Sequence, residues 1–519
     1  MKFIEKLKSK FSSNSNDKNL VKKLNKDQKS ALDRFDKNIP LVLDLDECLL
    51  KTDFLYESLF SYVKSNPFRL FNAMSWYFNG DKIRLKKELE QIVEYDVDLY
   101  PQNDEVVELA KLEVKKGRKV HLATASNITF AKKIAKRFSF ISNIHATDKK
   151  INLKAINKAN ELQQQYPDGF IYAGDSKADL VVWEKAKGIV SVRAKKSTIA
   201  KIKQDRTPDI IIDKQYSTFK TIRKALRVHQ WAKNVLVFVP LFLSGTFTSP
   251  ANWLLAIIGF FALSMLASAT YVINDLWDLE DDRAHWSKRF RPLASGNLSL
   301  SFGIILAFMA FIIAFALSLF LPIMAQLLML LYLITTLLYS FFLKKQAIVD
   351  VVTIAALFVL RVAFGAYVIS VYQSSWLLVF AMALFLSLSF AKRTVEVQKL
   401  AEHKKDKASG RGYQAGDANI LMMLGAASGM SSVIVMVMYI FNDAFNAQFY
   451  SAPFILWAFP FILLIWVCHI WITCARGELN DDPVIFALRD SKSLALASML
   501  PVVFILSWAS KPWFTALGI

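Results

Sequence analysis

Asn274-Asp275-Leu276-Trp277-Asp278-Leu279-Glu280-Asp281-Asp282 closes a long apolar run and leads into a basic stretch, Arg283 to Arg291. Carboxylates this close together repel one another, and at a bilayer edge they are costly. A divalent cation removes the repulsion. Asn274, Asp278 and Asp282 stand at i, i+4 and i+8 with Asp275 beside them, so one helix would carry all four on one face. Hard oxygen donors in that arrangement suit Mg²⁺, which takes a few carboxylates plus substrate phosphates. The stretch predicts a diphosphate-binding site at a membrane surface, with Asn274, Asp275, Asp278 and Asp282 as metal ligands.

Outward from this motif, apolar segments fall near 232–247, 252–273, 301–320, 322–343, 347–371, 374–391, 419–441, 452–474 and 494–510. Most are long enough to cross a bilayer, which gives about nine spans. Loops near 245–252, 320–323, 370–375 and 441–452 hold no Lys or Arg, whereas the alternate loops are basic. The positive-inside rule puts the N-terminus, the acidic motif and the basic loops in the cytoplasm and the C-terminus outside. The chain is 54% hydrophobic with a net charge of +20. Its cations flank the spans, so the charge points to a membrane and not to nucleic acid. Cys48, Cys468 and Cys474 form neither a disulfide framework nor a zinc spacing.

The first part of the chain reads differently. Residues 1–38 form a basic, Lys/Ser/Asn-rich arm with no long apolar core, suited to an anionic leaflet. Four signals follow in order. Leu41 through Leu49 reads as a short buried strand ending in two alternating acids, Asp44 and Asp46. Lys119 to Ser126 is a strand that delivers a hydroxyl, Thr124. A basic helix start runs from Asn152 through Lys154 to Lys158. Phe170 through Asp179 reads as a strand, then Gly174-Asp175 and, four residues on, a second acid, Asp179. Helical gaps between strands predict βαβ alternation and a parallel sheet. Residues 54–99 form an insert rich in aromatics (Phe60, Tyr62, Phe68, Phe71, Met74, Trp76, Phe78) and read as a helical cap.

Taken together, these four signals resemble the haloacid-dehalogenase-like hydrolase superfamily over about residues 39–213. The resemblance implies Asp44 as nucleophile and Asp46 as general acid/base. It implies Thr124 as the hydroxyl that holds the phosphoryl group, and Asp44, Asp175 and Asp179 around Mg²⁺. Lys154 or Lys158 matches the charge-balancing lysine, with the spacing in favour of Lys158. A carboxylate can form an acyl-phosphate only if the phosphoryl oxygens are neutralised, so the chemistry agrees.

A second resemblance covers about residues 223–510. Asn274-Asp275-x-x-Asp278-x-x-x-Asp282 followed by Arg291-Pro292-Leu293-Ala294-Ser295-Gly296 is similar to the first aspartate motif of the UbiA-type prenyltransferase superfamily. A second Asp-x-x-x-Asp is expected after the sixth span. That position reads Ala391-Lys392-Arg393-Thr394-Val395-Glu396. Cations in place of carboxylates suit ligands with more anionic groups. With Arg227 to Asn234, Tyr339 through Lys344 to Asp350 and Arg361, and Asp481-Asp482-Pro483, the pattern resembles the decaprenyl-phosphate phosphoribosyltransferase branch. That branch moves 5-phosphoribosyl from phosphoribosyl diphosphate to a polyprenyl phosphate, in the cytoplasmic membrane of bacteria. It implies Mg²⁺ at the acidic motif with Asp278 in a catalytic role. Lys288, Arg291, Lys344, Asp350, Arg361, Lys392, Arg393 and Glu396 would hold the substrates.

The expected architecture is multidomain. A basic arm (1–38) precedes an α/β Rossmann-like haloacid-dehalogenase domain with a small helical cap (39–213, cap 54–99). A linker (214–231) leads to an all-α polytopic membrane domain of about nine transmembrane helices (232–519). One rival is an aromatic prenyltransferase, which would use a polyprenyl diphosphate and a second acidic motif. The other is a non-enzymatic membrane scaffold, indifferent to metal.

Overall fold

The computed structural model describes residues 24–509 apart from 67, 70, 73–74, 76–78, 80–88, 90–95, 148–152, 214–217, 286, 403–411, 480–482 and 488. The chain forms two compact units. One comprises Met1–Ala225 with Asp275–Ile305, the other Leu226–Asn274 with Leu306–Ile519.

Six strands make the sheet of the first unit: β1 (Leu41–Leu43), β2 (Val120–Asn127), β3 (Ile141–Thr147), β4 (Ile171–Gly174), β5 (Gly188–Val192) and β6 (Ile210–Ile212). Their order is β3-β2-β1-β4-β5-β6, and every pairing is parallel. Alternation along the strands builds two cores. Leu41, Leu43, Ile171 and Ala173 pack into one, and Val42, Phe170 and Tyr172 into the other. Successive side chains point to opposite faces, so a sheet with helices on both faces needs apolar residues at every position. The order reverses at β1, which pairs with β2 on one side and β4 on the other. Carboxyl ends of strands at such a switch point frame the ligand crevice of open α/β sheets.

Helix α1 (Phe54–Ser65) begins the cap, its first turn capped by the Asp53 side chain. Tyr62 and Leu89 pack with Leu55, Leu59 and Val63, so the cap has a small core of its own. Phe68 and Phe71 are exposed. Met74, Trp76 and Phe78 lie outside the described residues.

Eight helices among the described residues are long and apolar enough to cross a membrane. They are Pro250–Trp277, Leu300–Ser318, Ile323–Phe341, Val349–Val368, Ser375–Leu400, Ala415–Ala444, Pro453–Ala475 and Ser491–Ala509. Of the expected segments, the first (232–247) takes another form. It is a 3₁₀-helix, Val228–Phe238, followed by a short α-helix, Val239–Leu243, with Pro240 in its first turn. A 3₁₀-helix rises about 2.0 Å per residue, so the two pieces still cover roughly 30 Å. Gly365 lets this segment lie against Val349–Val368: a Cβ there would sit 2.2 Å from the Val237 carbonyl oxygen. Elsewhere in the second unit, small residues bring helices together. A Cβ on Gly425 would meet the Trp471 ring at 2.2 Å. Ser387 links the same place, donating to the Gly425 carbonyl at 2.7 Å and accepting from Trp471 Nε1 at 3.0 Å. Small residues and interhelical hydrogen bonds supply packing where lipid offers no hydrophobic drive.

Candidate active sites

Asp44 follows β1, and its own Oδ1 accepts from the Leu45 amide at 2.8 Å. Lys158 Nζ lies 2.9 Å from Asp44 Oδ2 and 4.0 Å from Asp179 Oδ1. The Tyr172 hydroxyl joins all three, at 2.9 Å from Lys158 Nζ, 2.9 Å from Asp179 Oδ1 and 3.2 Å from Asp44 Oδ2. The other oxygen of Asp179 accepts from the Asp175 and Ser176 amides and from the Ser176 hydroxyl. Asp46 Oδ1 accepts from the Phe54 amide at 2.9 Å, and its Oδ2 from the Ser126 hydroxyl at 2.8 Å. Thr124 is fully buried, and its hydroxyl oxygen accepts from the Ser126 amide at 3.0 Å.

Burial dominates the electrostatics. It pushes Asp44 up to about 7 even though Lys158 opposes the shift, and Asp179 adds to the rise. Burial likewise pushes Asp46 up to about 6, helped by Asp53. It raises Asp175 well above the usual carboxylate range, with Asp179 and Asp44 adding repulsion. Lys158 is pulled down by burial, but Asp44 and Asp179 outweigh this and raise it. One ligand oxygen each from Asp44, Asp175 and Asp179 lies within 4.8 Å of the others. Three carboxylates at such spacing, with Asp44 and Asp175 raised by burial, fit a hard divalent cation. Lys154, by contrast, is exposed and outside this cluster.

The acidic motif also has a definite geometry. The long helix ends at Trp277, with Asn274 and Asp275 in its last turn, and a new helix α2 runs Leu279–Ala284. Asp278 occupies the break, so the four residues do not share one continuous helix face. The reason is electrostatic. A continued helix would pile acids on its negative C-terminal end. The restart puts Glu280, Asp281 and Asp282 in a first turn, where the dipole favours them. Asp275 and Asp282 are buried and converge on Arg291, whose Nη1 is 3.0 Å from one and 2.5 Å from the other. Burial pushes Asp282 up to about 6 against the pull of Arg291, with Asp275 adding to the rise. Two carboxylates gathered on one cationic position are donors of the kind that Mg²⁺ takes.

In the second unit, the cations expected to bind substrate fall into two groups. Arg361 is buried in helix Val349–Val368. Its Nε donates to Asn234 Oδ1 and its Nη2 to the Tyr332 hydroxyl, both at 2.9 Å, and its Nη1 to the Leu357 carbonyl at 2.5 Å. These partners are all neutral. Arg393 is instead neutralised: Nε lies 2.5 Å from Asp350 Oδ2, Nη1 pairs with Glu396, and Nη2 is 3.2 Å from the Tyr339 hydroxyl. Tyr413 also donates to Asp350. Lys344 and Lys392 are half-buried. Asp481 and Asp482 lie outside the described residues.

The UbiA prenyltransferase family matches residues 235–486. The uncharacterized protein y4nM of Sinorhizobium fredii is 35% identical over 477 residues, 92% of this chain and 92% of its own length. The chain belongs to the UbiA prenyltransferase family. Its UbiA domain is also similar to the decaprenyl-phosphate phosphoribosyltransferase of Mycobacterium tuberculosis (strain ATCC 25618 / H37Rv), 28% identical over 296 residues, 56% of this chain and 95% of that protein. A HAD family hydrolase from Salmonella enterica serovar Typhi overlaps 34% of this chain and 68% of its own at 14% identity, with a TM-score of 0.26. In the first unit, the sheet order and the acids at the β1 and β4 ends are the arrangement expected of a haloacid-dehalogenase-like domain. The match to y4nM is long enough to include both halves, so they occur together in that relative as well.

Sequence reasoning on this UbiA protein missed Tyr172, Ser126, Asn234 and Tyr332. Tyr172 sits two residues before Gly174-Asp175, and alternation alone assigns it to a buried face. Asn234 carried a signal, a polar residue within an apolar segment.

Proposed function

We propose that the UbiA domain transfers a 5-phosphoribosyl group from phosphoribosyl diphosphate to a polyprenyl phosphate, and that the soluble domain then removes the 5-phosphate. The observation that carries the first step is Arg361, a buried cation with neutral partners. Such a charge is costly unless an anion completes it, and a substrate phosphate would do so. The similarity to decaprenyl-phosphate phosphoribosyltransferases supports the same reading.

In the transfer, an oxygen of the lipid phosphate attacks C1 of the ribose while the C1–oxygen bond to diphosphate breaks. The nucleophile is already an anion at neutral pH, so no general base is required. Asn274, Asp275, Asp278 and Asp282 would hold Mg²⁺, which when bound neutralises the leaving diphosphate. Lys288, Lys344, Arg361 and Lys392 are cations suited to phosphate oxygens, whereas Arg291 is held by Asp275 and Asp282 and would reach a phosphate only as Mg²⁺ takes over those carboxylates. Arg393, tied to Asp350 and Glu396, would order the substrate-binding wall.

In the hydrolysis, Asp44 attacks phosphorus and forms an acyl-phosphate as Asp46 protonates the departing ribose oxygen. Asp46 then takes a proton from water, which attacks the acyl-phosphate and frees inorganic phosphate. A carboxyl raised to about 6 is well placed to give and take that proton. Lys158 and Tyr172 hold Asp44 in position. Mg²⁺ on Asp44, Asp175 and Asp179 would neutralise the phosphoryl oxygens.

We further propose that both sites face the cytoplasm of a bacterial cell. The unequal Lys and Arg content of alternate loops supports this. So does the packing of Asp275–Ile305 with the soluble fold. Segments on one membrane face are joined by an even number of crossings, which the segment 228–243 and the helix Pro250–Trp277 would supply.

The test uses membranes holding the full chain, labelled phosphoribosyl diphosphate, polyprenyl phosphate and Mg²⁺. Wild type should yield a labelled lipid-linked ribose, and Asp44→Asn should accumulate its 5-phosphate. No labelled lipid would end the transfer reading. Identical products from the two proteins would end the hydrolysis reading.

A further inference from the structure

Glu57 and Arg283 form a buried, two-toothed ion pair, Nη1 to Oε2 at 3.0 Å and Nη2 to Oε1 at 2.5 Å. Neither residue has a part in the chemistry above. Glu57 lies in the first turn of α1, whose leading amide, Phe54, donates to Asp46. Thr52 also donates to Glu57. Arg283 directly follows Asp282 in the chain. Its Nε donates to the Ala294 carbonyl at 3.2 Å, and its guanidinium lies 5.5 Å from the centre of the Tyr100 ring.

Further ties hold the same segment. Arg193, beyond β5, donates to the Gly296 carbonyl. Gly296 has φ +66, and a Cβ on it would sit 2.4 Å from Lys51 Cβ. Only glycine combines that backbone angle with so close an approach. The acidic-motif loop therefore packs as part of the fold that carries Asp44.

We infer that Glu57 and Arg283 are positioning residues for the acidic motif: their pair, with the Arg193–Gly296 tie, fixes the segment bearing Asp278 and Asp282, next to Asp275 at the helix end, on the phosphatase-like fold. The inference rests on the motif being the donor site proposed above. Glu280, Asp281 and Asp282 repel one another, and besides the helix dipole it is cations that hold them: Lys64 of α1 lies 3.4 Å from Glu280 and 3.6 Å from Asp281, and Arg291 lies 2.5 Å from Asp282. An ion pair out of water is directional, and loss of one partner leaves a buried charge uncompensated. Fusion of the two domains thus supplies a structural part of the transferase motif in addition to proximity.

Hydrogen exchange on the full chain in nanodiscs tests this. Glu57→Gln should raise amide exchange across 279–299 at least tenfold, while peptides spanning β1, β2 and β4 keep wild-type protection. The Mg²⁺ concentration needed for half-maximal transfer should rise about tenfold, and Glu57→Asp should recover part of both effects. Unchanged exchange across 279–299 overturns the inference. If Glu57→Gln also deprotects the strands, Arg193→Ala decides: faster exchange at 291–297 with a raised Mg²⁺ requirement upholds the inference, and no change overturns it. Should the wild type transfer no phosphoribosyl group, the donor-site reading fails, while the exchange comparison still reports on the anchoring.

Discussion

At the scale of single residues, the Asp44 site is a balance between burial and charge. Asp44, Asp46 and Asp175 are all held above the ordinary carboxylate range by desolvation. The consequence for stability has a definite sign. A folded-state pKa above the unfolded one means that the native protein keeps protons that the unfolded chain has released. Stability of metal-free protein should therefore fall as pH rises from about 4, the unfolded carboxylate value, through about 7, the folded value of Asp44. Added Mg²⁺ should raise the melting midpoint more at pH 8 than at pH 5, because it repays the cost of ionisation. Thermal scans after chelation and after readdition of Mg²⁺ would check both statements. Tyr172 gives a second expectation. Its hydroxyl bridges Lys158 to two carboxylates, and hydrogen bonds to charged groups are worth about 1.5–3 kcal/mol. Tyr172→Phe should lower kcat for phosphomonoester hydrolysis about ten- to a hundredfold while leaving the fold intact. Asp44, Asp175 and Asp179 were legible in the sequence because each closely follows a strand, whereas Lys158 stood beside Lys154 as an alternative. Tyr172 was not, because its role depends on which face of β4 meets the helix carrying Lys158.

At the scale of elements, two departures from the sequence pattern stand out. The acids that alternate by fours read as one helix, yet the helix restarts at Asp278. Periodicity carries no information on the helix dipole, and the dipole decides where a run of acids is tolerated. The first apolar segment is drawn out as a 3₁₀-helix against Val349–Val368. Gly365 permits that approach, and alanine there would press on the Val237 carbonyl. Gly365→Ala should cost about 1–3 kcal/mol, as overpacking does, and lower the melting midpoint in detergent. A midpoint equal to wild type would mean that the segment shifts freely.

At the scale of the whole molecule, the crossing number depends on that same segment. If 228–243 crosses, a reporter fused to the C-terminus should be active outside the cell and one at the N-terminus only inside. If both report from the cytoplasm, the segment does not cross and the scheme of one shared face fails.

The sequence by itself determined that a Rossmann-like domain precedes a UbiA domain, where eight long apolar helices lie, and which acids and cations are candidates for the chemistry. These follow from periodicity, hydropathy and motif spacing, all of which are local along the chain. Tertiary structure alone decided that Lys158 and not Lys154 meets Asp44, that Arg393 pairs with carboxylates while the partners of Arg361 among the described residues are neutral, and that Glu57 grips Arg283. Each of these is a pairing of residues distant in the chain, and the energy of a buried charge is set by the partner that folding brings to it.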